Sequence, residues 1–172
     1  VGGAGTGTFG LKVIGDGTMR SELERCARSG GPGGSQGMPG PIEFTGQLPH
    51  DEVMKLVVKS RFLVLPSLCY EMFPLAVIEA FACGKPVIGS RGGAIGEIVG
   101  HGTTGLLFES GNSDDIARCL RVFAEDRELC QRFGAAARDE FEARYTAESN
   151  FSQIMAIYEN VIDDRKRHKS EA

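Results

Sequence analysis

The sequence has no tryptophan, few aromatic residues and no excess of positive charge. Its 172 residues carry a formal net charge of −4 at pH 7, and aromatic residues make up 8% of the chain. Domains that bind nucleic acid are usually basic, so this composition argues against a nucleic-acid partner. No apolar run approaches the roughly 20 residues that a membrane-spanning helix needs. The length fits one domain with a substantial core.

Cysteine and histidine are too sparse and too scattered to predict a metal site or a disulfide framework. The five cysteines include no C-x-x-C pair, and the three histidines lie far apart in the sequence. We therefore expect reduced thiols, no bound metal and a cytoplasmic location. A nucleophilic role for Cys69 would need a nearby base, and no histidine lies close to it in the sequence.

Glycines in the first ten residues have the spacing of a dinucleotide-binding fingerprint. Gly5, Gly7 and Gly10 match G-x-G-x-x-G, but that motif requires a preceding strand and a following helix. A strand-like segment follows instead, so we interpret residues 1–10 as a flexible tail. Residues 30–41 are rich in glycine and proline and are interpreted as a surface loop. Residues 11–172 then form one domain.

Short apolar segments alternate with helical segments up to residue 108, and three further helices are predicted from Ser113 to about Arg165. Continuous apolar strands that alternate with helices predict an α/β fold with a doubly wound parallel sheet. The predicted strands are Leu11–Gly15, Ile42–Thr45, Phe62–Leu65, Pro86–Ser90 and Gly105–Phe108.

Ligands of such folds bind beyond the carboxyl ends of the strands. Because several loops of this sequence follow strands, they are predicted to meet at that edge of the sheet. These loops are Gly15–Gly17, Gly46–His50, Pro66–Phe73 and Arg91–Gly93.

The stretch from Pro66 to Glu79, P-S-L-C-Y-E-M-F-P-L-A-V-I-E, is predicted to contain a strand end, a loop and a helix. We expect the helix to begin at Pro74 and, being apolar on nearly all sides, to lie in the interior. Free N–H groups of Leu75 and Ala76 would attract a phosphate. Glu79, one turn further on, would accept hydrogen bonds from sugar hydroxyls beside a diphosphate. The alternative is a core helix in which local N–H groups or an arginine satisfy Glu79.

An ordered series of motifs in this region matches a known family. The series has Glu71 and Glu79 eight residues apart with F-P between them, then A-C-G-K-P-V-I, G-G and G-T-T-G-L-L-F, with L-K-V-I-G-D-G and I-E-F-T-G upstream. It resembles the C-terminal, donor-binding domain of retaining GT-B glycosyltransferases of family 4, the glycosyl transferases group 1, over about Leu11 to Asp126. The resemblance implies a Rossmann-like domain with C-terminal helices that binds a nucleotide diphosphate sugar for carbohydrate biosynthesis.

The resemblance also implies roles for individual residues. Glu79 would bind the ribose hydroxyls, and Glu71, the candidate catalytic residue, would contact and position the donor sugar. Leu48 would border the base, and Gly15 from the first loop completes the donor-binding set. No metal or other cofactor is implied. The backbone that would hold the diphosphate belongs to Phe73, Pro74, Leu75 and Ala76, with no N–H at the proline.

Two parts that the resemblance implies lie outside this sequence. One is an N-terminal domain that would hold the acceptor and make any peripheral membrane contact. The other is the first strand of the present domain, with a G-R pair and a lysine that neutralise the diphosphate. In the strand order 3-2-1-4-5-6 that strand is central, so Leu11–Gly15 and Phe62–Leu65 are expected to flank a gap or close up imperfectly. We expect a fragment that is inactive by itself.

The sequence leaves two other functions open. A nucleotide-sugar epimerase of the same architecture would form product without an acceptor. A non-catalytic module of the same fold would bind nucleotide or act as a scaffold without turnover. The motifs specify neither the base, the sugar nor the acceptor.

Overall fold

The computed structural model describes residues 10–29 and 41–170, apart from the side chains of residues 164–166 and 168–170. The predicted tail and the predicted glycine-rich loop therefore lie almost entirely outside the described residues. Strands and helices alternate as predicted. In chain order they are β1 (Leu11–Ile14), α1 (Arg20–Arg28), β2 (Ile42–Gly46), α2 (His50–Lys59), β3 (Leu63–Leu65), α3 (Leu75–Ala82), β4 (Val87–Ser90), α4 (Gly93–Ile98), β5 (Gly105–Phe108), α5 (Ser113–Glu125), α6 (Arg127–Arg144) and α7 (Ala147–Ser170).

The start of α3 and the end of α7 differ from the prediction. α3 begins at Leu75, and Pro74 is its N-cap and not its first helical residue. α7 continues to Ser170, beyond the predicted end near Arg165. The end of α7 lacks an apolar periodicity, but lysine and arginine are good helix formers, so the helix continues. In the described part of the chain, no helix is long and apolar enough to cross a membrane.

The strands form two parallel sheets. β1 pairs with β2, while β3, β4 and β5 form a second sheet in that order. Both sheets are parallel throughout, as predicted for a doubly wound fold. No ladder joins β1 to β3 among the described strands, which confirms the expected gap between these two strands.

The core lies on both faces of the larger sheet. Successive residues of a strand point to opposite faces, so Val87 of β4 packs in one cluster and Ile88 in the other. The first cluster includes Val57 of α2 and Phe81 of α3. The second includes Phe123 of α5. Helices therefore cover the larger sheet on both sides and leave its carboxyl edge to the loops.

Candidate functional site

Contacts between the strand-end loops connect them along the carboxyl edge. Gly15 N–H donates to the Gly46 carbonyl at 2.9 Å. His50, at the start of α2, places Nδ1 3.7 Å from Oε1 of Glu79 in α3. Further along, Ala94 N–H donates to the Glu71 carbonyl at 3.0 Å. The predicted site residues Gly15, Glu71 and Glu79 thus lie on elements that are linked by direct contacts.

The amino end of α3 offers two N–H groups. Pro74 is extended (φ −77°, ψ 90°), and no side chain caps the helix. Val77 N–H donates to the Pro74 carbonyl at 2.9 Å, whereas the N–H groups of Leu75 and Ala76 have no partner within residues 10–29 and 41–170. Unbonded N–H groups and the positive end of the helix dipole favour an anion here.

The prediction that α3 is buried on all sides is wrong. Val77, Ala80 and Phe81 are buried, but Leu75 is 63% exposed, and the Glu79 side chain keeps 34% of its surface. Residues four apart lie on one face of a helix, so Leu75 and Glu79 define an open side above the carboxyl edge. Apolar composition did not predict this exposure because it depends on which side of the helix other elements cover.

Within the described residues, the His50 imidazole lies beside the Glu79 carboxylate, with Nδ1 3.7 Å from Oε1, a contact that the sequence analysis did not identify. Local N–H groups or an arginine were the partners expected only under the alternative of a core helix. His50 is itself 71% exposed, so the pair is accessible from solvent and contributes little to stability. The sequence did place His50 at the end of the predicted edge loop Gly46–His50, and in the structure it is the first residue of α2.

Glu71 is held at both its side chain and its backbone. The Ser67 hydroxyl donates to Oε1 of Glu71 at 2.8 Å, and Ala94 binds the Glu71 carbonyl. Gly93 has φ +53°, and a Cβ at that position would lie 2.9 Å from the Glu71 carbonyl oxygen. Glycine at residue 93 therefore allows the start of α4 to approach the loop of Glu71.

The loop that carries Glu71 exposes apolar side chains. Met72 is 94% exposed and Tyr70 85% exposed, and Leu68 and Phe73 are also exposed. Adjacent apolar side chains in water commonly mark a contact surface. This loop therefore presents both a fixed carboxylate and an apolar surface to whatever binds at the edge. Leu48, in the neighbouring loop, is half-buried.

The arginines of this edge are already engaged in ion pairs. Arg20 lies 2.8 Å from Glu24 and 3.6 Å from Asp16, and the hydrogen bond to Glu24 is the main cause that raises the pKa of its guanidinium. Arg91 lies 3.0 Å from Glu109. Sequence reasoning did not assign either arginine to the site.

Within the described residues, no group of three or more histidine, cysteine or carboxylate side chains is placed to hold a metal ion.

The chain belongs to the family Glycosyl transferases group 1, whose sequence profile matches residues 8–140. It is 32% identical over 155 residues to an uncharacterized glycosyltransferase of Methanocaldococcus jannaschii, an alignment that covers 90% of this chain and 42% of that protein. It is 37% identical over 128 residues to N-acetyl-alpha-D-glucosaminyl L-malate synthase of Bacillus anthracis, covering 74% of this chain and 33% of the relative. The chain thus spans less than half the length of these curated relatives.

Solved structures confirm the fold as that of a GT-B glycosyltransferase domain. Sucrose-phosphate synthase from Thermosynechococcus elongatus superposes with a TM-score of 0.73 at 25% identity, covering 91% of this chain and 39% of that one. The Anabaena protein HepE, crystallised with UDP-glucose, superposes with a TM-score of 0.72 at 23% identity, covering 87% and 40%.

Proposed function

We propose that the carboxyl edge binds a nucleotide diphosphate sugar and that the whole protein is a retaining glycosyltransferase of the hexosyltransferase type. One observation carries the proposal. Two unbonded N–H groups lie at the start of α3, and Glu79 lies one turn later on the same open side of this helix. This arrangement offers donors to a diphosphate and an acceptor to the adjoining sugar hydroxyls.

The diphosphate is proposed to bind at residues 73–76. Leu75 and Ala76 would donate from the backbone, and the chain at Phe73 and Pro74 would shape the approach. A helix terminus contributes roughly 0.3–1 kcal/mol to holding an anion, and up to about 2 kcal/mol in a partly buried site. Since Arg20 and Arg91 are already paired, we propose that cations from outside the described residues complete the diphosphate site.

The ribose is proposed to bind Glu79. Its carboxylate would exchange the 3.7 Å contact with His50 for hydrogen bonds from the ribose hydroxyls. A hydrogen bond to a charged group contributes about 1.5–3 kcal/mol, more than an exposed ion pair does. Leu48 and Gly15 would then border the base, because their loops join the edge on the side of His50.

Glu71 is proposed to position the donor sugar. The hydrogen bonds from Ser67 and Ala94 fix its loop, as a positioning group requires. Retention of the anomeric configuration is proposed from the family resemblance, as is a reaction without metal or other cofactor. The N–H groups of α3 would stabilise charge on the departing diphosphate.

The activities and bound ligands of similar proteins support this proposal. HepE was crystallised with UDP-glucose, and the Bacillus anthracis relative is an N-acetyl-alpha-D-glucosaminyl L-malate synthase. The curated relatives extend well beyond the aligned region. We propose that the acceptor site, and any contact with a membrane, belong to that additional length.

Isothermal titration calorimetry with UDP, GDP and ADP tests the binding site. We expect one of these nucleotides to bind, and the substitution Glu79→Gln to weaken its binding about tenfold or more, since each 1.4 kcal/mol corresponds to about a factor of ten. Glu125→Gln is the matched control because Glu125 is exposed at the far end of α5. Equal affinities of the two variants would show that Glu79 does not hold the ribose.

A turnover assay on the longer natural protein tests the reaction class. Proton NMR of the product reports the configuration of the new glycosidic bond, and retention is expected. Product that forms without an acceptor would indicate an epimerase. Nucleotide binding without turnover of any donor would indicate a non-catalytic module.

A further inference from the structure

The imidazole of His50 and the carboxylate of Glu79 face the same open position at the carboxyl edge. His50 is the first residue of α2, and its Nδ1 lies 3.7 Å from Oε1 of Glu79 in α3. The imidazole is exposed and the carboxylate is half-buried, so a ligand can reach both groups. Among the described residues, no N–H or hydroxyl donates a hydrogen bond to this carboxylate. Its lone pairs are therefore available to a ligand.

The separation of the two groups suits one bridging hydroxyl. At 3.7 Å they are too far apart for a direct hydrogen bond, but one oxygen atom can lie within about 2.9 Å of both. A hydroxyl has one donor and two acceptor lone pairs, whereas an ionised carboxylate only accepts. The carboxylate of Glu79 favours the His50 tautomer with its proton on Nδ1, because a neighbouring acceptor fixes which ring nitrogen carries the proton. A hydroxyl can then donate to Glu79 and accept from His50.

The other charged groups in the first turn of α2 are paired within that helix. Lys55 Nζ lies 3.7 Å from the Asp51 carboxylate and 2.6 Å from the Glu52 carboxylate. Both carboxylates are exposed to solvent, and in the described part of the chain neither pairs with a group of α3. His50 is therefore the residue of this turn that faces Glu79.

The order of the groups along a nucleotide identifies the hydroxyl that would lie at this position. In the proposed donor site the diphosphate lies at the start of α3, and the base lies beside Leu48, which precedes His50 in the same loop. The ribose 3′-hydroxyl is nearer to the carbon that carries the diphosphate, whereas the 2′-hydroxyl is adjacent to the carbon that carries the base. Because His50 lies on the base side of Glu79, it meets the 2′-hydroxyl.

We propose that His50 donates to the ribose 2′-hydroxyl and makes the site select ribonucleotides over 2′-deoxyribonucleotides. Glu79 accepts from the same hydroxyl and from the 3′-hydroxyl. A site that hydrogen-bonds a hydroxyl rejects the analogue that lacks it, because the polar groups of the site are left unpaired. The inference rests on the proposed donor site and adds to it a residue that the family resemblance did not assign.

Calorimetric titration of the longer natural protein with UDP, 2′-deoxy-UDP and 3′-deoxy-UDP tests the assignment, with the corresponding GDP or ADP series if one of those nucleotides is the one that binds. We expect 2′-deoxy-UDP to bind about tenfold or more weakly than UDP. In His50→Ala this affinity ratio is expected to fall about threefold or more, because the hydroxyl has lost one of its two partners. The affinity ratio of UDP to 3′-deoxy-UDP is expected to stay the same.

Asp51→Ala is the matched control, because Asp51 lies in the same turn but pairs with Lys55. It is expected to leave both affinity ratios unchanged. If the ratio for 2′-deoxy-UDP were the same in His50→Ala and the unsubstituted protein, the role of His50 would be refuted and the donor site would stand. An equal fall in both ratios would also refute it, because a general disturbance of the site acts on both hydroxyls. If none of the three nucleotides bound, the donor site and this inference would fail together.

Discussion

Gly93 allows the backbone of α4 to approach the loop that carries Glu71, and the substitution Gly93→Ala tests this contact. The residue has φ +53°, and an added Cβ would lie 2.9 Å from the Glu71 carbonyl oxygen and 3.2 Å from the Glu71 nitrogen. A non-glycine residue in the left-handed region costs about 1–2 kcal/mol. Because both neighbours are backbone atoms, overpacking adds roughly 1–3 kcal/mol. We expect the free energy of unfolding to fall by about 2–5 kcal/mol.

Alanine substitutions at two other glycines show how much of this loss of stability comes from the backbone conformation and how much from the close contact. Gly102 has φ +81° with no atom within 4 Å of its added Cβ, so Gly102→Ala should cost only the conformational term of about 1–2 kcal/mol. Gly96 lies within α4, also with no atom within 4 Å. Gly96→Ala should stabilise the protein by roughly 0.5–1 kcal/mol, because alanine is the better helix former.

Urea unfolding followed by far-ultraviolet circular dichroism measures all three variants, since the chain has no tryptophan to report by fluorescence. In thermal unfolding, each 1 kcal/mol corresponds to about 2–4 °C in a protein of this size. If Gly93→Ala were no less stable than Gly102→Ala, the close approach to Glu71 would not exist as described. The affinity for the donor nucleotide is a second measurement, because only Gly93→Ala of the three variants should weaken it.

Two further predictions concern packing and thiol chemistry. A Cβ on Gly134 would lie 2.4 Å from the Gly84 carbonyl oxygen, so Gly134→Ala should lower the free energy of unfolding by about 1–3 kcal/mol in urea titration, and a neutral result would contradict this helix contact. Cys69 is exposed, whereas burial raises the pKa of the Cys119 and Cys130 thiols. Ellman's reagent with mass mapping should therefore modify Cys69 first and the buried pair only on unfolding; equal native rates would refute this order.

The sequence by itself determined the order and type of the secondary-structure elements. The strand Gly105–Phe108 has the predicted bounds, and the helices that follow it begin at Ser113 as predicted, because apolar runs and helical periodicity are local properties. The alternation of apolar strands and helices also predicted the parallel fold. The motifs shared with the family predicted the interruption of the sheet between the first and third strands. The start of α3 was predictable to within one residue, since Pro74 is the N-cap and not the first helical residue.

Tertiary structure alone decided how these elements face one another. In the folded chain His50, and not an arginine, lies beside Glu79. Leu75 and Glu79 lie on an open side of an apolar helix. Tertiary structure also required glycine at residue 93, where two loops approach each other. Each of these features depends on the crossing of segments that are distant in sequence. Side-chain burial and backbone clearance at such crossings are set by the packed elements together, so no local pattern encodes them.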